Sequence, residues 1–446
     1  MNSRLLIAFA LAVAPALLAS QARADDLMQV FRDARGYDAQ YGAARFALQA
    51  GLEKFPQGRA LILPTLGLTA GGTATNIDIE GRGNTPSPSA NRNFSALNYQ
   101  LTFTQPVYRP QNTFQYNQSS QQVRQAEAVF GLAAQDLVVR VAQAYFDVLS
   151  AQDTLGLVRA QKAAISEQLA QAKRNFEVGT ATITDTHEAQ ARFDLSAAQE
   201  ISAQNDLEVR RRALQQLTGK SHEGLKPLRA DVTLAPPNPN NMQSWVELAE
   251  KQAYQVQAQA ALSEIAALEV KRTRAVNFPT LDLVASFGQT SQTGTALSPT
   301  GSVVSPAAIG LQFAVPLYQG GAITSREREA VANYEKSKLD LENARRSIVL
   351  VSRQSFLGVI NGIAQVKALE AALVSSQSAL DSNRLGYEVG VRINIDVLNA
   401  QQQLFSTRRD LANARYNTIN SYLRLKAAAG GLKEEDLAEV NKALQP

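Results

Sequence analysis

The sequence predicts an α+β membrane protein in which long coiled-coil helices continue into the strands of a transmembrane β-barrel. Three observations predict this. One structural unit occurs twice along the 446 residues. Each copy holds a stretch of more than sixty residues without proline. Each also holds segments in which apolar and polar side chains alternate.

The chain opens as an export signal. Arg4 precedes an apolar run, Leu5 to Leu18, broken by Pro15, and Ala22-Arg23-Ala24 has the small-x-small pattern of a cleavage site. Residues 1–24 are therefore expected to be a signal peptide, too short and wrongly flanked to span a bilayer. Of 44 basic residues, Arg4 and Arg23 fall in this segment, leaving 42 basic against 40 acidic residues, so nothing draws the chain to nucleic acid. No cysteine is present, so neither a disulfide nor a thioether-linked lipid can hold the fold or anchor it. No later run of some eighteen apolar residues reads as a spanning helix, so a membrane crossing has to be made by a barrel.

The duplication comes next. Phe176-Glu-Val-Gly-Thr-Ala-Thr-Ile-Thr-Asp185 matches Tyr387-Glu-Val-Gly-Val-Arg-Ile-Asn-Ile-Asp396 at an offset of 211 residues. Pro64-Thr-Leu pairs with Pro279-Thr-Leu, and Pro106-Val-Tyr108 with Pro316-Leu-Tyr318. The expected organisation is a first repeat over 25–220, a Pro/Asn-rich linker over 221–243, a second repeat over 244–430 and a tail over 431–446. Each repeat reads as a helix, two strands, a very long helix, a turn and a shorter helix.

Within the repeats, Leu97, Tyr99, Leu101 and Phe103 alternate with polar residues, as do Leu281, Leu283, Ala285 and Phe287, and Ile309, Leu311, Phe313 and Val315 alternate with small or polar ones. Such strands suit a barrel with lipid outside and water inside, but alternation alone equally fits a soluble sheet on a core. Gly71 to Arg92 and Gln289 to Pro306 read as long loops. The proline-free stretches Gln111 to Phe176 and Arg326 to Tyr387 would make helices of about 100 Å. Heptad spacing of Val359, Val366, Leu373 and Leu380, and of Val397, Leu404, Leu411, Thr418 and Leu425, marks them as coiled coils.

Strand number then sets the assembly. Four strands cannot close, and open edges in lipid cost several kcal/mol per unpaired group. Eight strands fill with their own side chains, so three copies, giving twelve strands, is the smallest ring with an open lumen.

The paired turns Val178-Gly179…Thr184-Asp185 and Val389-Gly390…Arg392…Asp396…Asn399, with the duplicated unit around them, resemble the TolC family of outer-membrane efflux proteins over essentially the whole mature chain. The resemblance implies a homotrimer in outer-membrane lipid, extended into the periplasm by a helical tunnel. It also implies docking on a periplasmic adaptor and an inner-membrane pump or ABC transporter, for multidrug efflux or type I secretion. It places a periplasmic gate at Thr184, Asp185, Tyr387, Arg392, Asp396 and Asn399, with Gly179 and Gly390 at the helix-turn-helix tips. Arg392 and Tyr387 would hold the second tip against Asp185. Asn399 stands where the family's entrance ring has a second acid. The missing lipidation cysteine matches the unlipidated branch.

Read by themselves, Gly179 and Gly390 fit left-handed helix ends, and Asp185 and Asp396 fit N-caps of the next helix. The two histidines, His187 and His222, sit in unrelated contexts, and Gly219-Lys220-Ser221 follows a helix and lacks the first glycine of a phosphate loop. Trp245 reads as a packing anchor. No cofactor and no enzymatic chemistry are expected. A stand-alone diffusion pore and a periplasmic coiled-coil scaffold are the competing readings.

Overall fold

The two proline-free stretches each form one unbroken helix. The computed structural model describes residues 24–80, 90–180, 182–229 and 231–445. The expected signal peptide therefore lies outside the described residues, apart from Ala24. In the first repeat, α1 (Leu27–Tyr37), α2 (Ala39–Leu52) and α3 (Lys54–Ala60) lead into strands β1 (Thr65–Ile79) and β2 (Ala90–Tyr108). Helix α4 (Pro110–Glu177) and helix α5 (Ile183–Thr218) follow. The second repeat runs through α6 (Met242–Gln252), α7 (Tyr254–Arg274), β3 (Thr280–Gln292), β4 (Ser302–Val304), β5 (Ala307–Ala314), α8 (Ala322–Glu388) and α9 (Asn394–Ala428). A last helix, α10 (Glu434–Asn441), packs back on α1 and α4.

Helices α4 and α8 have 68 and 67 residues. Pro110 sits at the start of α4, where its missing N–H costs nothing. The single leading helix expected in each repeat is broken instead. Asp38 ends α1 and caps α2 by accepting the Tyr41 N–H at 2.6 Å, and Ala253 separates α6 from α7 with an extended backbone.

The loops are shorter than expected. Strand β1 runs through Gly71 and Gly72 to Ile79, because a ladder to β2 pairs every residue from Thr65↔Thr104 to Ile79↔Ala90. Composition misled here: glycine, threonine and asparagine are poor strand formers alone but are tolerated where a neighbour supplies every hydrogen bond. On the other side, β3 extends to Gln292 and β4 and β5 both pair with it. They are one strand interrupted at Pro306, which has no N–H to give to the ladder.

The sheet order is β1-β2-β3, then β4 and β5 together, all antiparallel. Directly opposed residues share a face. Leu66, Leu68, Leu97, Leu101, Phe103, Leu283, Ile309, Leu311 and Phe313 thus lie on one face, and Thr69, Gln100, Asn98, Thr290, Ser286 and Gln312 on the other. Among the described residues most of the apolar face is uncovered: Leu68 is 71 % and Ile309 76 % exposed. This separates the two readings of the alternation, since a soluble sheet would bury those side chains on a core.

The sheet passes into the helices strand by strand. Helix α3 enters β1, β2 enters α4, α7 enters β3 and β5 enters α8, and the helices pack in the order α3-α4-α7-α8. At the junction, Arg109 donates through Nε and a terminal nitrogen to the two oxygens of buried Asp282, at 2.8 and 2.6 Å. Farther from the sheet the order becomes α5-α4-α9-α8.

The main core lies where these layers meet. Tyr145, Phe146, Leu149, Leu423 and Leu437 are all fully buried there, and Tyr145 donates its hydroxyl to the carbonyls of Asp25 and Lys226. The linker is consequently clamped rather than free: Leu225 bridges Asp25, Leu228 bridges Leu444, and Leu225 is buried. Trp245 is buried as expected, against Phe356, Val359 and Leu425, with its indole N–H on the Pro239 carbonyl at 2.8 Å. Gly219 caps α5 with φ +71°, and His222 is buried between Asp25 and Thr218.

Asp38 also joins α2 to the core through Arg140 at 2.9 Å, which holds its carboxyl below the usual range. A depressed carboxyl contributes stability above its unfolded pKa and loses it as pH falls through the folded value. Asp38→Asn keeps the cap but removes the charge. It should lower the free energy of unfolding by about 1–2 kcal/mol at pH 7. The deficit should shrink progressively as pH falls below the ordinary carboxyl range, as read from thermal unfolding. A deficit that stays constant as pH falls would mean the ion pair is not its source.

Candidate functional site

The far ends of the two hairpins, α4–α5 and α8–α9, carry the candidate site, and both turns are built the same way. Helix α4 ends with Gly179 at φ +76°, where the Gly179 N–H donates to Phe176 O and the Thr180 N–H to Asn175 O. Helix α8 ends with Gly390 at φ +78°, with Gly390 N–H on Tyr387 O and Val391 N–H on Gly386 O. This paired pattern satisfies the last carbonyls and needs a residue that accepts the left-handed region. The sequence reading of both glycines therefore holds.

The reading of the two acids as N-caps does not. Thr182 is the N-cap of α5, and Asp185 sits three residues in, accepting the Thr182 N–H at 3.0 Å. The pair is a reciprocal capping box, which neutralises two orphan N–H groups at once. Asp396 holds the matching third position of α9, whose N-cap is Ile393, a residue with no oxygen to offer. The second tip has no side-chain capping hydrogen bond.

The remaining site residues are partly brought together. Tyr387 accepts from the Asn175 side chain at 3.3 Å, so it does reach across to the first hairpin. Arg392 lies 3.7 Å from Asp396 within its own turn, its stem folded over Gly386. Thr184 shares a hydrogen bond with the Thr182 hydroxyl. Asn399 accepts from Arg192 of α5 at 2.9 Å. The expected contact of Arg392 and Tyr387 with Asp185 is not made within one chain, because Asp185 is engaged in capping its own helix.

Three residues absent from the sequence reading help to join the tips: Asn175, Arg192 and Gln402, the last accepting from Arg192 at 2.6 Å. A signal for one existed. Arg192 lies one heptad beyond Asp185, on the same helical stripe, as a cation facing Asn399. Higher along the same seam, Asp153 of α4 accepts from Tyr416 of α9 at 2.6 Å. Burial pushes the Asp153 carboxyl above the ordinary range, against the pull of that hydroxyl, and it pushes Tyr416 up as well.

The backbone at the tips yields a contrast between glycines. A Cβ on Gly390 meets nothing within 4 Å, and neither does one on Gly156 inside α4. Space being equal, only backbone conformation differs. Gly390→Ala should destabilise by about 1–2 kcal/mol, whereas Gly156→Ala should stabilise by about 0.5–1 kcal/mol. Thermal unfolding of the two variants checks it, and shifts of the same sign would contradict the conformational account.

Comparison with known proteins places this arrangement. The profile of outer membrane efflux proteins matches residues 30–220 and 245–431. The chain is 33% identical to the outer membrane protein TolC of Vibrio cholerae over 430 residues, covering 96% of each. It is 31% identical to the protease secretion protein PrtF of Dickeya chrysanthemi over 437 residues, covering 96% of this chain and 93% of that one. Among solved structures it resembles the outer membrane protein VceC of Vibrio cholerae, with TM-score 0.77 at 20% identity over 91% of this chain and 96% of that one. With both repeats matched and full-length relatives above 30% identity, the chain belongs to the family of outer membrane efflux proteins.

Proposed function

We propose that three copies of this chain form an outer-membrane conduit that reaches into the periplasm. It would export small molecules or proteins with a periplasmic adaptor and an inner-membrane pump or ABC transporter. The observation that carries this reading is that sheet and helical layer end at the same two sides. Strand β1 and helices α2, α3 and α5 lie along one side, and β5 and α8 along the other.

Both sides carry groups that a single chain leaves without partners. The sheet edges hold unpaired backbone, which lipid does not forgive. The helical edges hold apolar side chains: Phe46, Phe55, Leu195 and Ile201 on one side, Leu339, Leu350 and Leu357 on the other. One stretch of α8 is apolar enough by composition to cross a bilayer, and little of it is buried. A helix of 67 residues, packed along α7 and α9, is better satisfied by the next copy than by lipid. One rotation about a common axis would pair β5 with β1 and α8 with α5, closing twelve strands and a helical tunnel together.

The exposed apolar sheet face disfavours a periplasmic scaffold, which would have no use for it. The capped and cross-linked tips disfavour a plain diffusion pore, which needs no constriction. Support for export by either route comes from relatives of both kinds, TolC and the protease secretion proteins PrtF and AprF. In the ring, α8 of one copy would stand beside α5 of the next, bringing Arg392 near the neighbouring Asp185 tip.

Light scattering of the purified protein in detergent should give three copies per particle. The variant Arg392→Ser with Tyr387→Phe should keep that mass and raise single-channel conductance in planar bilayers. A folded monomer would defeat the ring. An intact trimer with unchanged conductance would move the gate away from these two residues.

A further inference from the structure

The two hairpins of one chain are joined by hydrogen bonds at two levels, with an opening between them. At the upper level Phe146 stacks on Tyr416 at 5.5 Å, Ser150 donates to Asn413, Tyr416 donates to Asp153 and Arg424 donates to Gln143. This level is anchored in the main core. Below it a cleft of about 580 Å³ separates α4 and α5 from α9, lined by Leu157, Gln161, Gln199, Ser202, Phe405 and Arg409. Past the cleft, among the described residues, the side-chain hydrogen bonds that rejoin the hairpins are Arg192 to Asn399 and Gln402, and Asn175 to Tyr387.

Resting on the channel reading, we propose that Arg192 is a positioning residue of the gate: a clasp that holds the first hairpin to the second at the narrow end. Its geometry fits that role. The guanidinium sends one terminal nitrogen to Gln402 at 2.6 Å and the other to Asn399 at 2.9 Å, one helical turn apart on α9. A single rigid fork therefore fixes both the separation and the register of α5 and α9. The upper level cannot do this, because it lies beyond the cleft and acts as a fixed root about which the tips can part.

The acceptors are neutral amides, and this decides the strength. A carboxylate at either place would add charge assistance and make the clasp harder to release. Amide oxygens hold the fork in place yet leave its charge uncompensated at the mouth. The clasp is thus a weak, geometrically specific link, as an element needs to be when a partner must bias it with a few kcal/mol of differential binding.

The test is single-channel recording of the full-length protein in planar bilayers. Arg192→Ala should lower the closed-to-open ratio by about tenfold, equivalent to about 1.4 kcal/mol. Asn399→Ala with Gln402→Ala should do the same, and combining all three should add nothing, since one shared interaction is lost each time. Arg192→Lys, which keeps the charge but not the fork, should fall between. A merely structural role would lower trimer stability without that pattern. Because the chain has no cysteine, Arg192→Cys with Gln402→Cys bridged by a short bis-methanethiosulfonate, each thiolate displacing a methanesulfinate, supplies an independent arm and should lock the channel shut. If Arg192→Ala fails to assemble, the amide pair and the bridge decide the matter. Unchanged gating in an intact Arg192→Ala trimer, additive losses, or a bridged channel that opens freely would each overturn the clasp. A wild-type chain that forms no channel would defeat the conduit reading, and the clasp with it.

Discussion

The unpaired backbone at the two edges of the sheet is the constraint on which the rest depends. A strand edge in hydrocarbon has no water to turn to, so every free N–H and C=O there must find another strand. Edge strands in soluble proteins are blunted by charge, proline or short length. Here β1 is 15 residues long and carries leucines rather than lysines on its exposed face. Such an edge is tolerable only if it is always covered. The helices inherit the same solution, because each strand continues into one helix and the order across the sheet becomes the order across the tunnel. A ring that satisfies the sheet necessarily brings the helical edges together.

The duplication explains how a single chain supplies a third of that ring. Two copies of one unit give four strands and a layer of packed helices. Copies of one turn need not keep one chemistry, however. The first tip retains a full capping box, Thr182 with Asp185, whereas the second has Ile393 at the cap and Arg392 folded over Gly386. The first tip is satisfied by itself. The second is left with a cation and an acid at 3.7 Å, a long separation for an exposed pair and worth little in isolation. Polar groups held that loosely remain available to other partners.

What the sequence disclosed follows the range of the forces concerned. The long helices were legible because proline is excluded locally and heptads repeat without interruption. The tip glycines were legible because a left-handed residue is a local demand. The strand lengths were not, since Gly71, Gly72 and Asn76 are strand residues only by virtue of the partners 17 to 27 positions away that pair with them. The Pro/Asn-rich composition marks 221–243 as a linker but does not disclose its attachments, which are to Asp25, Tyr145 and Leu444, all remote in sequence. At the site, the residue types came through but the pairings did not. Asp185 was assigned to a latch while its oxygens answer its own helix end, and Arg192 drew no notice because its partners are uncharged.

Stability and gating are separated along the length of the same helices. At the middle of the molecule, α4 and α9 are joined through fully buried groups such as Phe146 and Leu423, which cannot part without exposing large apolar area. Toward the tips, the first hairpin keeps a small core of its own in Leu169, Ala172, Ala189 and Phe193, so it holds together as a unit. Between the hairpins at that level, among the described residues, polar contacts reach across: Arg192 to Asn399 and Gln402, and Asn175 to Tyr387. Water can replace such contacts at small cost, whereas it cannot replace the buried ones. If the tips are the gate, as proposed, helices that run unbroken through both zones would let the entrance widen by the parting of intact hairpins, with no helix unfolding.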